Sequence, residues 1–195
     1  MKIKKLLFAS ALLFSAYNAS AQTQVIAHRG FWKTEGSAQN SIAALLKADS
    51  IGCYGSEFDV WLAADDQLVV NHDPTFKGKR MENSPSTALT AIKLDNGESL
   101  PTLAKYLKAA QPLHTRLILE LKAHSTPLRE TKAIEKIVAL VKDMGLEERM
   151  EYITFSLHAT KEFIRLAPEG TPVYYLDGNL SPKELKELGC AGPDY

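Results

Sequence analysis

Cysteine is scarce in this 195-residue sequence: only Cys53 and Cys190 occur. They could pair in an oxidising compartment, but they precede two strands that lie far apart in the pattern read below, and both read better as small buried residues. Net charge is also missing, with 23 Lys+Arg against 23 Asp+Glu, so nothing in the balance suggests a nucleic-acid partner. No apolar run reaches the roughly 20 residues that a membrane helix needs. The longest, from Leu6 to Tyr17, is interrupted by Ser10 and Ser15, follows Lys2, Lys4 and Lys5, and is closed by the small residues Ala19-Ser20-Ala21. That is the pattern of a secretory signal peptide over residues 1–21, which implies an exported, periplasmic or secreted protein. Cleavage there leaves Gln22 first, with no cysteine to carry a lipid, and no stable membrane insertion is expected. Repeats, linkers and low-complexity tracts are lacking as well, so residues 22–195 read as one domain.

What is present is alternation. Apolar, β-branched runs recur near 24–28, 54–61, 68–72, 116–122, 150–156 and 172–176, with helical spacing dominating the stretches between. Strand and helix in turn is the signature of parallel βα units. Asn40-Ser41 offers caps for a helix whose apolar face is Ile42, Leu45 and Leu46. Ile134, Ile137, Val138 and Val141 form a helical stripe that Gly145 is placed to stop. The polar stretch from Pro74 to Leu100 is a long excursion ahead of a helix begun at Pro101-Thr102-Leu103, and excursions of that length are usually functional. Six strands counted this way leave a barrel open. Pro193-Asp194-Tyr195 falls where a seventh strand is due, so the chain reads as part of a longer barrel.

Chemistry collects at the strand ends. Val25-Ile26-Ala27 runs into His28-Arg29-Gly30, and Leu68-Val69-Val70 leads to His72-Asp73. Glu57 and Asp59 alternate along one strand, as do Glu120 and Lys122 along another, so each pair points to one face. Such groups at the ends of several parallel strands are what an α/β-barrel active site offers. Either histidine alone would pass for a satisfied core residue; two at strand ends, beside Arg29 and Asp73, favour chemistry. Glu57 and Asp59 could be solvated, but Phe58, Val60 and Trp61 argue against an exposed strand. Glu120 and Lys122 could form an ion pair, which is compatible with a site. His124 continues the alternation as a rim residue or a solvated loop residue. His114 and His158 have no supporting pattern. Phe31, Trp32 and Phe76 either wall a pocket or anchor loops.

Taken together, Ala27-His28-Arg29-Gly30, Gln39-Asn40-Ser41, Glu57-Phe58-Asp59-Val60, Val69-Val70-Asn71-His72-Asp73, Pro101-Thr102-Leu103, Leu119-Glu120-Leu121-Lys122 and Phe155-Ser156 agree in order and spacing with one family. The chain resembles the glycerophosphodiester phosphodiesterases over essentially all of residues 22–195. The resemblance implies a TIM-type (β/α)8 barrel, here with about six βα units. It also implies metal-dependent hydrolysis of small-molecule glycerophosphodiesters to an alcohol and glycerol phosphate. Carried over by position, Glu57, Asp59 and Glu120 are the metal ligands, His28 and His72 the acid-base pair, and Arg29 and Lys122 the phosphate-holding cations. Carboxylate-only ligation suits a hard divalent cation, calcium or magnesium. Three carboxylates against two cations leave −1, so one such ion is needed before an anionic diester can bind. Histidine serves as base or acid near neutral pH, and attack by water or by the neighbouring glycerol hydroxyl both remain open. The sequence departs from the family at Ala38-Gln39, where Pro-Glu is usual, and it lacks the aromatic residue the family adds from a late strand. Two rival readings follow. A phospholipase acting on intact lipids would need an apolar rim, which the polar Lys77 to Thr87 stretch does not offer. A phosphate-binding barrel without catalysis is favoured by Gln39 and opposed by both histidines and all three carboxylates.

Overall fold

The computed structural model describes residues 23–193, so the leader read at residues 1–21 lies outside the described residues. In chain order the elements are β1 (Ile26–Ala27), α1 (Ile42–Ser50), β2 (Gly55–Leu62), β3 (Leu68–Val70), β4 (Thr75–Phe76), β5 (Lys79–Arg80), α2 (Ser86–Thr90), α3 (Leu103–Ala110), β6 (Arg116–Leu121), α4 (Pro127–Asp143), β7 (Met150–Thr154), α5 (Leu157–Leu166), β8 (Val173–Tyr175), α6 (Pro182–Leu188) and β9 (Gly192–Pro193). The main sheet runs β1-β2-β6-β7-β8-β9, all parallel, with β3 joined to β2. Neighbours that follow chain order with intervening helices give a singly wound arc, which is the TIM-type arrangement left open among the described residues.

Strand β3 corrects the sequence reading. It pairs antiparallel with the second half of β2, Val60 opposite Val70 and Leu62 opposite Leu68, and is not a barrel strand. The reason is loop length: only Ala63 to Gln67 separate the two strands, whereas a parallel partner requires a crossover of about a dozen residues. The sixth parallel strand is therefore β9 at the end of the chain.

Register fixes which side chains share a face. Asp59 lies beside Glu120, and Phe58 beside Leu119. Phe58, Val60, Leu62, Leu117, Leu119 and Leu121 point outward into one apolar cluster with Leu45 of α1, Tyr106 and Leu107 of α3, Ile134 and Ile137 of α4 and Phe163 of α5. Glu57, Asp59 and Glu120, one residue out of phase, face the concave side. Between β3 and α3 the excursion forms the β4–β5 hairpin and α2, and it builds a separate apolar cluster of Met81, Leu89, Ile92, Leu94 and Leu100 against Trp61 and Val69. It is tied back to the barrel by Glu98, whose carboxylate accepts the Ile42 and Ala43 amides at the start of α1, 3.0 and 3.1 Å away. Helix α1 is capped by Ser41 rather than Asn40, and its buried face is Ala44, Leu45 and Ala48. Leu46 is exposed. Cys53 and Cys190 are free thiols, half-buried rather than buried.

The loop leaving β1 packs against α1 through Gly30. Its backbone has φ +75°, and a Cβ there would lie 2.7 Å from the Ala44 Cβ and 2.8 Å from the Ala44 carbonyl carbon. Both the left-handed backbone and the close approach require glycine. Gly30→Ala should destabilise the protein by about 2 kcal/mol or more, which is about 4–8 °C in Tm for a domain of this size. Thermal unfolding followed by circular dichroism checks this; an unchanged Tm would mean that the loop yields without cost.

Candidate active site

The three carboxylates predicted as ligands converge. Glu57, Asp59 and Glu120 are buried, and each offers an oxygen within 4.8 Å of the others. Oxygens that share one calcium at about 2.3–2.6 Å lie no more than about 5 Å apart, so the cluster has the span of a single-cation site. The donor set fits as well. Glu57 Oε1 is buried with no hydrogen-bond partner among the described residues, an arrangement that costs free energy unless a cation or proton occupies it.

Backbone strain holds two of the three in place. Arg29 and Asn40 both lie in the left-handed region, at φ +59° and +60°. They are joined by the Asn40 amide, which donates to the Arg29 carbonyl at 3.1 Å. The Arg29 amide donates to Glu57 Oε2 at 2.7 Å. The Asn40 side chain engages Asp59 twice, Nδ2 donating to Oδ2 at 2.7 Å and Oδ1 accepting the Asp59 amide at 3.1 Å. Asn40, read from sequence only as a helix cap, is thus a positioning residue for the acidic cluster. Conformations of this kind outside glycine persist where surrounding contacts over-determine them.

Lys122 sits on the same carboxylates, with its Nζ 2.9 Å from Asp59 Oδ1 and 2.7 Å from Glu120 Oε1. Burial opposes its charge, but Asp59 and Glu120 outweigh that and hold its pKa above the usual lysine value. The Arg29 guanidinium is held by Gln39, Nη1 donating to Oε1 at 2.6 Å. The residue that departs from the family pattern therefore orients Arg29 without neutralising it. Burial, reinforced by Asp59, pushes the Glu57 carboxyl up to about 8. Burial likewise raises Glu120 above the ordinary carboxylate range. Burial thus favours the protonated form of Glu57 over the ionised one counted in the −1 balance of three carboxylates and two cations.

The two histidines are placed differently. His28 Nε2 lies 3.9 Å from Glu57 Oε2, and its side chain is 68% exposed. Burial, then the Arg29 charge, lowers its pKa, so the ring is neutral near pH 7. His72 is half-buried, and its Nδ1 lies 2.8 Å from Asp73 Oδ1. The His72 turn is pinned by the Asn71 amide donating to the Asp59 carbonyl at 3.0 Å and by the Trp61 indole donating to the His72 carbonyl at 3.3 Å. His72 also lines a cleft of about 300 Å³ whose wall includes Trp32, Gln39, Asp73, Phe76 and Asp95. Trp32 and Phe76 are thus pocket residues, while Phe31 is exposed and does not line this cleft.

His124 is neither a rim catalyst nor solvated. Its Nε2 accepts the Leu62 amide at 2.9 Å and its Nδ1 faces the Lys122 carbonyl at 2.7 Å, which requires the neutral Nδ1–H tautomer. It laces the end of β2 to that of β6. Glu130 supports the lacing by accepting the His124 amide at 3.1 Å and the Ser156 hydroxyl at 2.7 Å.

A singly wound parallel arc with acidic, imidazole and fixed cationic groups at its strand ends defines a TIM-type barrel protein with a centre suited to a divalent cation. The chain matches no protein-family model. It is 30% identical over 161 residues to the glycerophosphodiester phosphodiesterase of Caldanaerobacter subterraneus subsp. tengcongensis, an alignment covering 75% of this chain and 64% of that protein. It therefore spans somewhat less than two thirds of that curated relative. Among solved structures, it superposes on a glycerophosphodiester phosphodiesterase from Parabacteroides distasonis with a TM-score of 0.86 at 55% identity, over 88% of this chain and 72% of that one. A phosphodiesterase from Oleispira antarctica, solved with the product sn-glycerol-3-phosphate, gives a TM-score of 0.73 at 26% identity over 87% and 73% of the two chains. The chain belongs to the glycerophosphodiester phosphodiesterase family.

Three outcomes follow from the cluster. Because Glu57 keeps its proton up to about pH 8, cation binding at pH 7 should release nearly one proton. Calorimetric enthalpies measured in buffers of different ionisation heat should give that stoichiometry, falling off above pH 8. In the unfolded chain the same group ionises near its ordinary value of 4.5. Between those values the folded state binds more protons, so metal-free stability from this group declines as pH rises through that window and then levels. Asn40→Ala should weaken calcium binding about tenfold or more by freeing Asp59, read by titration calorimetry against an unchanged far-ultraviolet spectrum. Unaltered affinity would remove Asn40 from its positioning role.

Proposed function

We propose that the protein hydrolyses glycerophosphodiesters to an alcohol and glycerol phosphate with His28 and His72 as the acid-base pair. The observation that carries this reading is the convergence of Glu57, Asp59 and Glu120, with His28 3.9 Å from Glu57 and Lys122 2.9 Å from Asp59. In this reading Glu57, Asp59 and Glu120 hold one divalent cation, calcium or magnesium, which supplies the positive charge that an anionic diester and its transition state need. Arg29, oriented by Gln39, binds a non-bridging phosphate oxygen. Lys122, whose Nζ lies on Asp59 and Glu120, would add positive charge for the phosphate beside the cation. His28, neutral at physiological pH, takes the proton of the attacking oxygen. His72 is oriented by Asp73 through Nδ1, and its Nε2 serves the oxygen of the leaving alcohol. The basic head at Lys2, Lys4 and Lys5 with its apolar run supports export, to the periplasm or beyond, as the setting of this activity.

The test is release of glycerol 3-phosphate from glycerophosphocholine with calcium or magnesium, abolished by chelation and restored by the ion. His28→Ala and His72→Ala should each lower turnover about 10²–10⁴-fold, with calcium affinity nearly unchanged by calorimetry. Loss of calcium binding in His72→Ala would make that histidine a ligand and sink the acid-base assignment.

A further inference from the structure

The cleft beside His72 has a composition that the hydrolytic reading does not use. None of the three carboxylates lines it and His72 does, so in the hydrolytic reading it receives what is attached to the phosphate on the His72 side. Its wall combines two aromatic rings, Trp32 and Phe76, with two carboxylates, Asp73 and Asp95, and none of its lining residues is a lysine or arginine. Aromatic faces attract cations through the ring quadrupole, ammonium groups above all.

The two rings also carry ammonium groups of lysines that lie outside the cleft lining. Lys33 Nζ lies 5.3 Å from the Trp32 ring centroid, and Lys77 Nζ lies 5.3 Å from that of Phe76. Lys77 Nζ is also 3.6 Å from Asp95 Oδ1, so one ammonium is shared between a π face and a carboxylate at the cleft. Asp95 is 88% exposed and Lys77 about half, so neither is locked in a buried pair. Lys77 thus pairs with Phe76 and Asp95 from outside the cleft lining, and a cationic ligand group would compete with it for both.

We propose that this cleft binds the alcohol half of the substrate and selects alcohols that carry an ammonium group over neutral polyols, with Trp32, Phe76 and Asp95 as the specificity-determining residues. This rests on the hydrolytic reading only for which half of the diester enters the cleft. A cavity of about 300 Å³ accommodates an aminoalcohol with its phosphate ester, at the small end of the range for ligand sites. Asp73 contributes charge but is engaged with His72, so the variants that isolate selectivity are at Phe76, Asp95 and Lys77.

The experiment compares glycerophosphocholine with glycerophosphoglycerol, in the presence of calcium, on two readouts. One is kcat/KM in the unaltered protein, and the other is Kd by calorimetry in the His28→Ala protein, where turnover is suppressed. The choline diester should be favoured about tenfold on both. Asp95→Asn and Phe76→Ala should each reduce that preference about threefold to fivefold by weakening the choline diester more than the glycerol diester, in keeping with exposed cation–π and charge contacts. Lys77→Ala should act in the opposite direction, tightening the choline diester alone, because it removes the internal competitor. Equal constants for the two diesters overturn the proposal and leave hydrolysis standing. So does a Lys77→Ala protein that loses affinity for both diesters alike, since Lys77 then serves the phosphate. If neither diester is hydrolysed, the hydrolytic reading fails, and the ratio of the two Kd values in the unaltered protein decides the cleft by itself. Failure to bind either diester overturns both.

Discussion

Three carboxylates held within 4.8 Å of one another, out of contact with bulk water, form the constraint that the rest of the structure satisfies. Like charges at that distance and burial repel strongly. Three devices relieve the repulsion in the metal-free chain: the Lys122 ammonium between Asp59 and Glu120, the amide donors of Arg29 and Asn40, and the proton that burial keeps on Glu57. None of them cancels the need for a cation. They make the cluster tolerable without one, and each can be displaced, whereas the fixed geometry of β2 and β6 cannot.

That geometry follows from pairing register. Because Asp59 and Glu120 are direct neighbours on parallel strands, their side chains meet without any loop having to place them. Phe58 and Leu119, one residue earlier, make the same register part of the apolar layer beneath the helices. A slip by one residue would bury the acids among Tyr106 and Leu107 and expose the apolar set, so the core enforces the register that the site requires.

The centre was therefore legible in the sequence where its logic is periodic. Glu57, Asp59, Glu120 and Lys122 declare a common face by alternation. The direction of β3 was encoded too, in the five residues after Leu62, but alternation alone does not distinguish a parallel from an antiparallel neighbour. Asn40 was misjudged for a different reason. An asparagine ahead of a helix is an ordinary cap, and its left-handed backbone and double bond to Asp59 depend on a partner 19 residues away. His124 was similarly opaque, since its neutral bridging role arises only when the ends of β2 and β6 are brought side by side.

The two apolar clusters have an implication for how such a protein changes over generations. The three clustered carboxylates hang from strands anchored in the sheet–helix layer, while Phe76 and Asp95 belong to an excursion with its own apolar cluster. Substitutions among Met81, Leu89 and Leu94 alter the shape of the cleft wall and leave the sheet–helix layer under the acids intact. The acidic cluster is thereby insulated from the cleft wall, and the excursion can be reshaped without disturbing the strands that hold the acids.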